Sequence, residues 1–578
     1  MCGLTLSIRL FEANSSNIEQ NAILQAFQSS VTCRGPDSQD SYVYVDTTYS
    51  GHQIEVCMYA TVLGLRGDLT SQPLVGKRGV LGWNGQIFEG VDVGTENDTR
   101  VLFNMLEKGN SIEKVLSTVE GPFACIYLDL KRSTVHYQLD PLSRRSLLVY
   151  PATFPDFGLN DKPPMAILSS CCCSQAKEFG IEMRALRGGE GGEVNLKDIA
   201  FGDDGQMDLS KAIKTITDYN VKPSCSTSAF THVTPINTTL PPLNLSDPQS
   251  LSKDPVTLGV VESFTSALRA SVLRRVENIP ALKKNESRVA LLFSGGIDCT
   301  FLAYLIHLCL PLNEPIDLIN VAFAPCPVPS GKCETVTSNL INMYHVPDRS
   351  SGLFSVAELG RVCPGREWRF VEVDIPFEEA KRERAKVIEL MYPNMTEMDL
   401  SLAFPLYFVA RGLGWLTRQG ERKPYTVKAK VYISGLGADE QLGGYLRHRN
   451  VFNRDGWQGL IDEIQMDITR LPSRNLSRDD RLLSSHARDA RYPFLSLSFM
   501  SYLSSVPIHL KCDPRLPPGY GDKRLLRLAS QHVGLIEAST RVKKAMQFGT
   551  RSSKVRGQGS GVKGPKAGER RIEMEILH

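Results

Sequence analysis

The stretch VALLFSGGIDCTFLAYLIHLCLPL, from Val289 to Leu312, constrains the fold more than any other part of the chain. An apolar run of strand type ends in Ser-Gly-Gly and passes without a spacer into an apolar helical segment. A strand that turns directly into a helix is half of a crossover connection, the unit from which parallel sheets are built. The pattern recurs: RVALLFSG, DLINVAFA, FVEVDI and KVYISGLG alternate with helical segments. The second half of the chain therefore reads as a doubly wound, mostly parallel sheet. Gly295, Gly296, Asp298 and His307 interrupt the most apolar stretch, which argues against a membrane span.

The first ~200 residues differ. SYVYVD, IEVCMYATVLGL, GVLGWNGQIF, FACIYLDL, TVHYQLD and SLLVY read as strands from their β-branched and aromatic content. Helical segments interrupt them near NAILQAFQS and DTRVLFNMLEKG, the second opened by the cap signal Asn-Asp-Thr. This is a layered α/β or α+β sandwich. A chain of 578 residues exceeds one core. The expected division is a first domain over 2–205, a Pro/Ser/Thr-rich linker over 206–256, a second domain over 257–555 and a disordered basic tail over 556–578. A net charge of +3 gives no field for nucleic acid or a membrane over the whole molecule. The 14 cysteines have no regular spacing and there is no secretory signal, so a cytoplasmic location is expected. The run Cys171–Cys173 has no account from sequence.

Two glycine-rich loops carry chemistry. Ser294, Gly295 and Gly296 can aim backbone N–H groups at an anion, aided by the positive end of the following helix. No Gly-Lys-Ser/Thr follows, so the loop is not of the Walker type. Asp298 beside a phosphate cradle is repulsive unless a cation intervenes, which suggests Mg²⁺. SGLGADEQLGG follows the strand KVYI and places Asp439 and Glu440 at another carboxyl edge, where open α/β sheets bind ligands.

Together these residues resemble the asparagine synthetase family. SGGID and SGLGADE resemble its ATP-pyrophosphatase domain. MCGL, RGPD (Arg34–Asp37), SQPL (Ser71–Leu74), NGQIF (Asn84–Phe88) and NDT (Asn97–Thr99) resemble a class II glutamine amidotransferase domain. VPDR (Val346–Arg349), RNLSRDDR (Arg474–Arg481), ARYPFL (Ala490–Leu495) and RVKKAMQFG (Arg541–Gly549) fit one branch of the same family. The resemblance implies an N-terminal-nucleophile αββα sandwich followed by the ATP-pyrophosphatase sheet. It implies that Cys2, exposed by removal of Met1, attacks the glutamine amide. Its own α-amine, with a pKa of ~7.7–8.0, would act as base. Gly3 would permit close approach of substrate. Asn84 and Gly85 would supply the oxyanion donors, Asp98 would hold the substrate ammonium, and Arg66 is the candidate for its carboxylate. In the second domain, aspartate would be activated by ATP as β-aspartyl-AMP and then amidated by ammonia. Leu292, Ser294, Gly295, Gly296, Asp298, Ser434 and Gly435 would bind the nucleotide. Asp298 and Asp439 would hold Mg²⁺, and Lys543 would neutralise phosphate charge. Lys523 and Arg527 either face the phosphates or form a solvated basic face. The expected partners are glutamine, aspartate and ATP, with no nucleic acid and no membrane. A homo-oligomer is plausible, and a protected passage for ammonia between the sites follows from the resemblance.

The chain departs from the family at named positions. Gln86 stands where the family has Glu, Cys33 replaces the His before RGPD, and Cys299 replaces a Ser. Leu436 stands where SGEGSDE has the glutamate that handles ammonia, with Glu397 as a candidate substitute acid. Leu436 and Gln86 keep two alternatives open. One is a catalytically impaired regulatory or scaffolding protein; the other is an AMP-forming ligase of another substrate.

Overall fold

The computed structural model describes residues 2–11, 18–151, 163–202, 207–216, 230, 232–242, 254–280, 283, 285–326, 343–555 and 570–572. The chain divides into two compact units. The first comprises Met1–His232, Ile388–Met395 and Leu471–Asp489; the second comprises Val233–Val387, Thr396–Arg470 and Ala490–His578.

The first unit is built on antiparallel sheets. Its strands are β1 (Cys2–Leu10), β2 (Ser38–Thr47), β3 (Gln53–Val62), β4 (Leu74–Val75), β5 (Gly79–Gly85), β6 (Phe123–Asp129) and β7 (Thr134–Leu139). They continue as β8 (Leu148–Tyr150), β9 (Met165–Ser169), β10 (Arg184–Ala185), β11 (Gly191–Asn195), β12 (Ala200–Phe201), β13 (Met207–Asp208) and β14 (Ile213–Ile216). One six-stranded sheet runs β10-β8-β9-β1-β3-β2 and the other β14-β11-β7-β6-β5-β4. Their facing sides share a core: Leu4, Leu6, Ile8, Val56 and Met58 of one meet Val80, Ala124, Ile126 and Leu128 of the other. Helix α1 (Ile18–Thr32) covers the outer side of the first sheet through Ile23, Leu24 and Phe27. Helices α2 (Asp98–Glu107) and α3 (Ile112–Ser117) cover the outer side of the second, against Leu81, Trp83 and Tyr127. The layers are therefore helix, sheet, sheet, helix, each amphipathic element burying one face. Cys172 and Cys173 fill the core under α1, and Cys171 donates to the Ser30 carbonyl at 3.2 Å. The triple cysteine is thus packing material, and burial pushes the Cys173 thiol up to about 12.

The segment expected to be linker from 206 holds strand instead, since β14 pairs with β11 from Gly191↔Ile216 to Val194↔Ile213. Residues 220–229 and 243–253, the core of the Pro/Ser/Thr-rich stretch, lie outside the described residues. So does most of the basic tail, but Arg571 forms a β-bridge with Thr396.

The second unit is built on a mixed seven-stranded sheet ordered β19-β18-β17-β16-β15-β20-β21. The strands are β15 (Val289–Leu292), β16 (Ile316–Phe323), β17 (Trp368–Ile375), β18 (Leu413–Arg418), β19 (Glu421–Thr426), β20 (Val431–Ile433) and β21 (Asp489–Arg491). β15, β16, β17 and β20 are parallel, and β16 is buried along its whole length, as a strand covered on both faces must be. β18 and β19 form an antiparallel hairpin at the edge. Its turn, Gln419-Gly420, has φ of 50° and 81°, the positive pair that a two-residue hairpin needs. Helices α4 (Pro255–Val276), α5 (Ile297–Cys309) and α6 (Pro347–Val362) pack in this unit. α4 is long and apolar enough to cross a membrane. Its Val261, Phe264, Leu268, Val272 and Val276 are buried, with Phe264 stacked on Phe301 of α5.

Chain order reverses at β15. β16 and β17 lie to one side of it and β20 to the other, so the loops leaving β15 and β20 share one crevice at the carboxyl edge.

Candidate functional site

Each unit gathers its own set of functional side chains. In the first, β1 begins at Cys2, which is 7% exposed. Its backbone N–H donates to Asn84 Oδ1 at 2.9 Å. Asn84, near the end of β5, is fully buried, and its Nδ2 has no hydrogen-bond partner among the described residues. A buried amide donor without a partner costs stability unless a ligand satisfies it. Gly85 is the last residue of the strand. Gln72 joins the set without having been singled out from sequence. Its Nε2 lies 3.6 Å from Cys2 Sγ and 3.2 Å from Thr99 Oγ1, and its Oε1 accepts from Trp83 N–H.

Asn97 caps α2 by accepting from Thr99 N–H at 3.0 Å. The cap sets Asp98 in the first turn, where its Oδ2 accepts from Ile87 N–H and its Oδ1 lies 3.1 Å from Arg66 Nη1. Arg66 also donates to the carbonyls of Ile87 and Gly94. A carboxylate and a guanidinium side by side match the ammonium and carboxylate of an α-amino acid. Gly3 has a packing reason: a Cβ there would sit 2.6 Å from the Val31 carbonyl and 2.7 Å from Thr61 Oγ1.

Behind Cys2 lies a buried charge network. Arg34 Nε donates to the Cys2 carbonyl at 3.3 Å, and its Nη2 reaches Asp480 Oδ2 at 2.7 Å. Asp480 also lies 3.4 Å from Arg145, which pairs with Asp489 at 2.6 Å. Burial pushes the Cys2 thiol up, opposed by the nearby Arg145 and Arg34 cations.

In the second unit, the loop after β15 turns at Gly295 with φ +75°, and a Cβ there would overlap the Ser351 carbonyl. Ser351 Oγ donates to the Ser294 carbonyl at 2.7 Å and Ser355 Oγ to the Gly295 carbonyl at 2.9 Å. Arg541 also donates to the Gly295 carbonyl. Gly296 caps α5 without a side-chain bond, which leaves the helix N–H groups to a ligand. Cys299 occupies the family serine position and donates to the Gly296 carbonyl at 3.2 Å.

Asp298, in the first turn of α5, receives Lys523 Nζ at 2.7 and 2.6 Å. The same Nζ lies 2.8 Å from Asp439 Oδ1, and Asp439 Oδ2 accepts from Lys543. Lys523 is 1% exposed, so it belongs to the site and not to a solvated face. Arg527 is 2% exposed and lines the same cavity, held by Asp522 and the carbonyls of Ser539 and Arg541. Burial raises Asp439, but Lys523 and Lys543 outweigh it and hold the carboxyl far below the usual range. Two carboxylates that already share one cation, one of them kept ionised, suit Mg²⁺ with substrate phosphates as further ligands. Ser434 Oγ accepts from Leu436 N–H, and Gly435 packs against Asp298. Leu292, the last residue of β15, leads into the loop.

A cavity of about 90 Å³ opens between these groups, lined by Ser294, Asp298, Asp348, Lys523, Arg541, Lys543 and others. Cations outnumber acids there, as an anionic ligand requires. Asp348, from VPDR, was not singled out from sequence; burial pushes it up to about 7 against the pull of Lys543 and Lys544. Glu397, the candidate substitute for the missing glutamate, does not line this cavity; it pairs with Arg384 at 3.1 Å.

Comparison with known proteins finds one family along the chain. Residues 453–560 match the asparagine synthase family model. The chain is 33% identical to the Homo sapiens protein called asparagine synthetase domain-containing protein 1, over 96% of this chain and 95% of that protein. It is 32% identical to the protein of that name from Gallus gallus, over 96% and 97%. It is 30% identical to an asparagine synthetase domain-containing protein of Saccharomyces cerevisiae, over 87% and 85%.

Proposed function

We propose, since this chain belongs to the asparagine synthetase domain-containing protein 1 family, that it is a glutamine-hydrolysing, ATP-dependent amide ligase that converts aspartate to asparagine. The observation that carries the reading is the survival of both side-chain sets in one chain. Cys2 has an orphaned amide donor beside it, and two aspartates and two lysines surround a phosphate-type loop. The first unit would then be an N-terminal-nucleophile domain and the second an ATP-pyrophosphatase domain.

With Met1 removed, the Cys2 α-amine takes the thiol proton and the thiolate attacks the glutamine side-chain carbonyl. Asn84 Nδ2 donates to the oxyanion that forms, with Gly85 N–H as the second donor. Asp98 and Arg66 exchange their mutual pair for the substrate ammonium and carboxylate. The proton returns to the leaving ammonia, and water releases glutamate from the thioester.

In the second unit, the Ser294–Gly296 turn and the α5 N-terminus bind the β- and γ-phosphates of ATP, and Leu292, Ser434 and Gly435 line the nucleotide. Asp298 and Asp439 would hold Mg²⁺, which offsets charge on the departing pyrophosphate. Lys543 and Lys523 add positive charge there. The aspartate β-carboxylate attacks the α-phosphorus, pyrophosphate leaves, and ammonia then displaces AMP from the acyl carbon.

Leu436 favours a second reading, in which the fold persists with impaired amidation, because leucine can neither bind nor deprotonate ammonia. The test is purified protein with ATP, Mg²⁺ and aspartate, supplied with glutamine or with ammonium, and parallel measurement of asparagine and pyrophosphate. Equal yields of the two products from glutamine, retained with ammonium but lost with glutamine in Cys2→Ala, bear the proposal out. Pyrophosphate without asparagine identifies a different acceptor or a failed second step. Neither product from either nitrogen source leaves the impaired reading.

A further inference from the structure

The outer face of the second sheet of the first unit carries a cluster that the ligase chemistry does not use. His136 of β7 and Glu193 of β11 stand directly opposite each other in the antiparallel pair, on the side covered by α3. Glu113 of α3 reaches the same point. His136 Nδ1 lies 3.4 Å from Glu193 Oε1 and 3.8 Å from Glu113 Oε1, and the three ligand atoms all lie within 4.8 Å of one another. The imidazole is nine-tenths buried, with 9% of its side chain exposed.

These distances are informative. A protonated imidazole against two carboxylates closes to about 2.7–2.9 Å, as charge-assisted hydrogen bonds do. Here Nδ1 makes no hydrogen bond among the described residues, and both gaps are wider. Two ligands at ~2.0–2.2 Å from a tetrahedral ion are separated by about 3.3–3.5 Å. The His136–Glu193 spacing falls in that range. Glu113 stands further off, and its side chain, 34% exposed, has freedom to rotate toward the other two. A cavity of about 10 Å³ adjoins the cluster, lined by Glu113, His136, Cys125 and Gln138. It has room for about one water as a fourth ligand.

We propose that Glu113, His136 and Glu193 form a binding site for a divalent transition metal of the zinc class. The ion pins α3 to β7 and β11. The donor set, one imidazole and two carboxylates, excludes soft monovalent copper and suits zinc.

The test uses the full chain, stripped with a chelator, as wild type, His136→Ala and Glu113→Gln/Glu193→Gln. Each is titrated with Zn²⁺ by calorimetry and with Co²⁺ by visible absorption, and melted with and without Zn²⁺. Wild type takes up one equivalent that both variants bind at least about tenfold more weakly. Its Co²⁺ spectrum has nitrogen–oxygen bands without thiolate charge transfer, and Zn²⁺ raises only its melting temperature. The near-isosteric double glutamine variant, melting like apo wild type, separates lost ligation from lost fold. Equal uptake by all three chains, thiolate charge transfer from the equivalent at issue, or a wild type that takes up no Zn²⁺ overturns the proposal.

Discussion

At the scale of the residue, Asn84 is the sharpest test of the first site. Its Nδ2 is buried and makes no hydrogen bond among the described residues, whereas its Oδ1 holds the Cys2 N–H. Asn84→Ala is expected to lower kcat for glutamine hydrolysis by about 10²–10³-fold, the usual value of one oxyanion donor, with KM little changed. A loss confined to KM would assign Asn84 to ground-state binding. Asp348 gives a pH signature. Its carboxyl is raised from the ordinary 3.8 to about 7, chiefly by burial. The native state thus keeps a proton that the unfolded chain has already released. Stability falls as pH rises from about 4 through about 7 and is level above. Asp348→Asn removes that dependence. In chemical denaturation the variant gains on wild type by up to a few kcal/mol between pH 5 and pH 8. A constant difference across that range would mean Asp348 stays ionised. Cys2, Asn84, Asp98 and Asp298 were legible because each sits in a short motif whose chemistry is local. Lys523 was not. Its two acid partners come from other segments, Asp298 lying 225 positions away, and four-residue spacing on a basic helix reads equally as a wet surface.

At the scale of the element, the strand–turn–helix from β15 into α5 carries its own constraint. Gly295 has positive φ and no space for a side chain. Gly295→Ala would strain the backbone and press on the Ser351 carbonyl, which Arg541 also approaches. The expected cost is about 1–3 kcal/mol of stability, with loss of ATP–pyrophosphate exchange. An alanine variant with normal exchange would show that the turn is not held by this contact. The parallel strands were legible from continuous apolar runs, because burial on both faces leaves no alternation to confuse them. The β18–β19 hairpin was missed: LGWLTR and ERKPYT are exposed along most of their length, so their composition carries little burial signal. The only cue was Gln419-Gly420, which lacks the Asn or Asp that marks most such turns. The extra strands at 207–216 were missed because two- and four-residue strands are too short for a periodicity to register.

At the scale of the whole molecule, sequence order and domain membership part company. Leu471–Asp489 and Ile388–Met395 are embedded in the second half of the chain yet belong to the first unit. Motif order gave two consecutive domains, because contacts between distant segments leave no periodic trace. The join is electrostatic. Asp480 is fully buried and faces Arg34, Arg145 and the Ser146 N–H. Asp480→Ala takes the acid from the buried Arg34 and leaves Arg145 to Asp489, and should cost about 3–5 kcal/mol in urea unfolding. A loss below about 1 kcal/mol would mean that Arg34 finds another partner.

That membership also imposes an order in time. The ribosome delivers His232 roughly 250 residues before Asp489. At about 5–20 residues per second, the strands that carry Cys2 and Asn84 wait about 13–50 s for their last pieces. During that interval Arg34 and Arg145 have no acid to face. A message cut short in the second half would yield a polypeptide with every motif of the first unit and an unfinished first unit. On the proposed function, ammonia release begins only when most of the machinery that consumes it has already been translated.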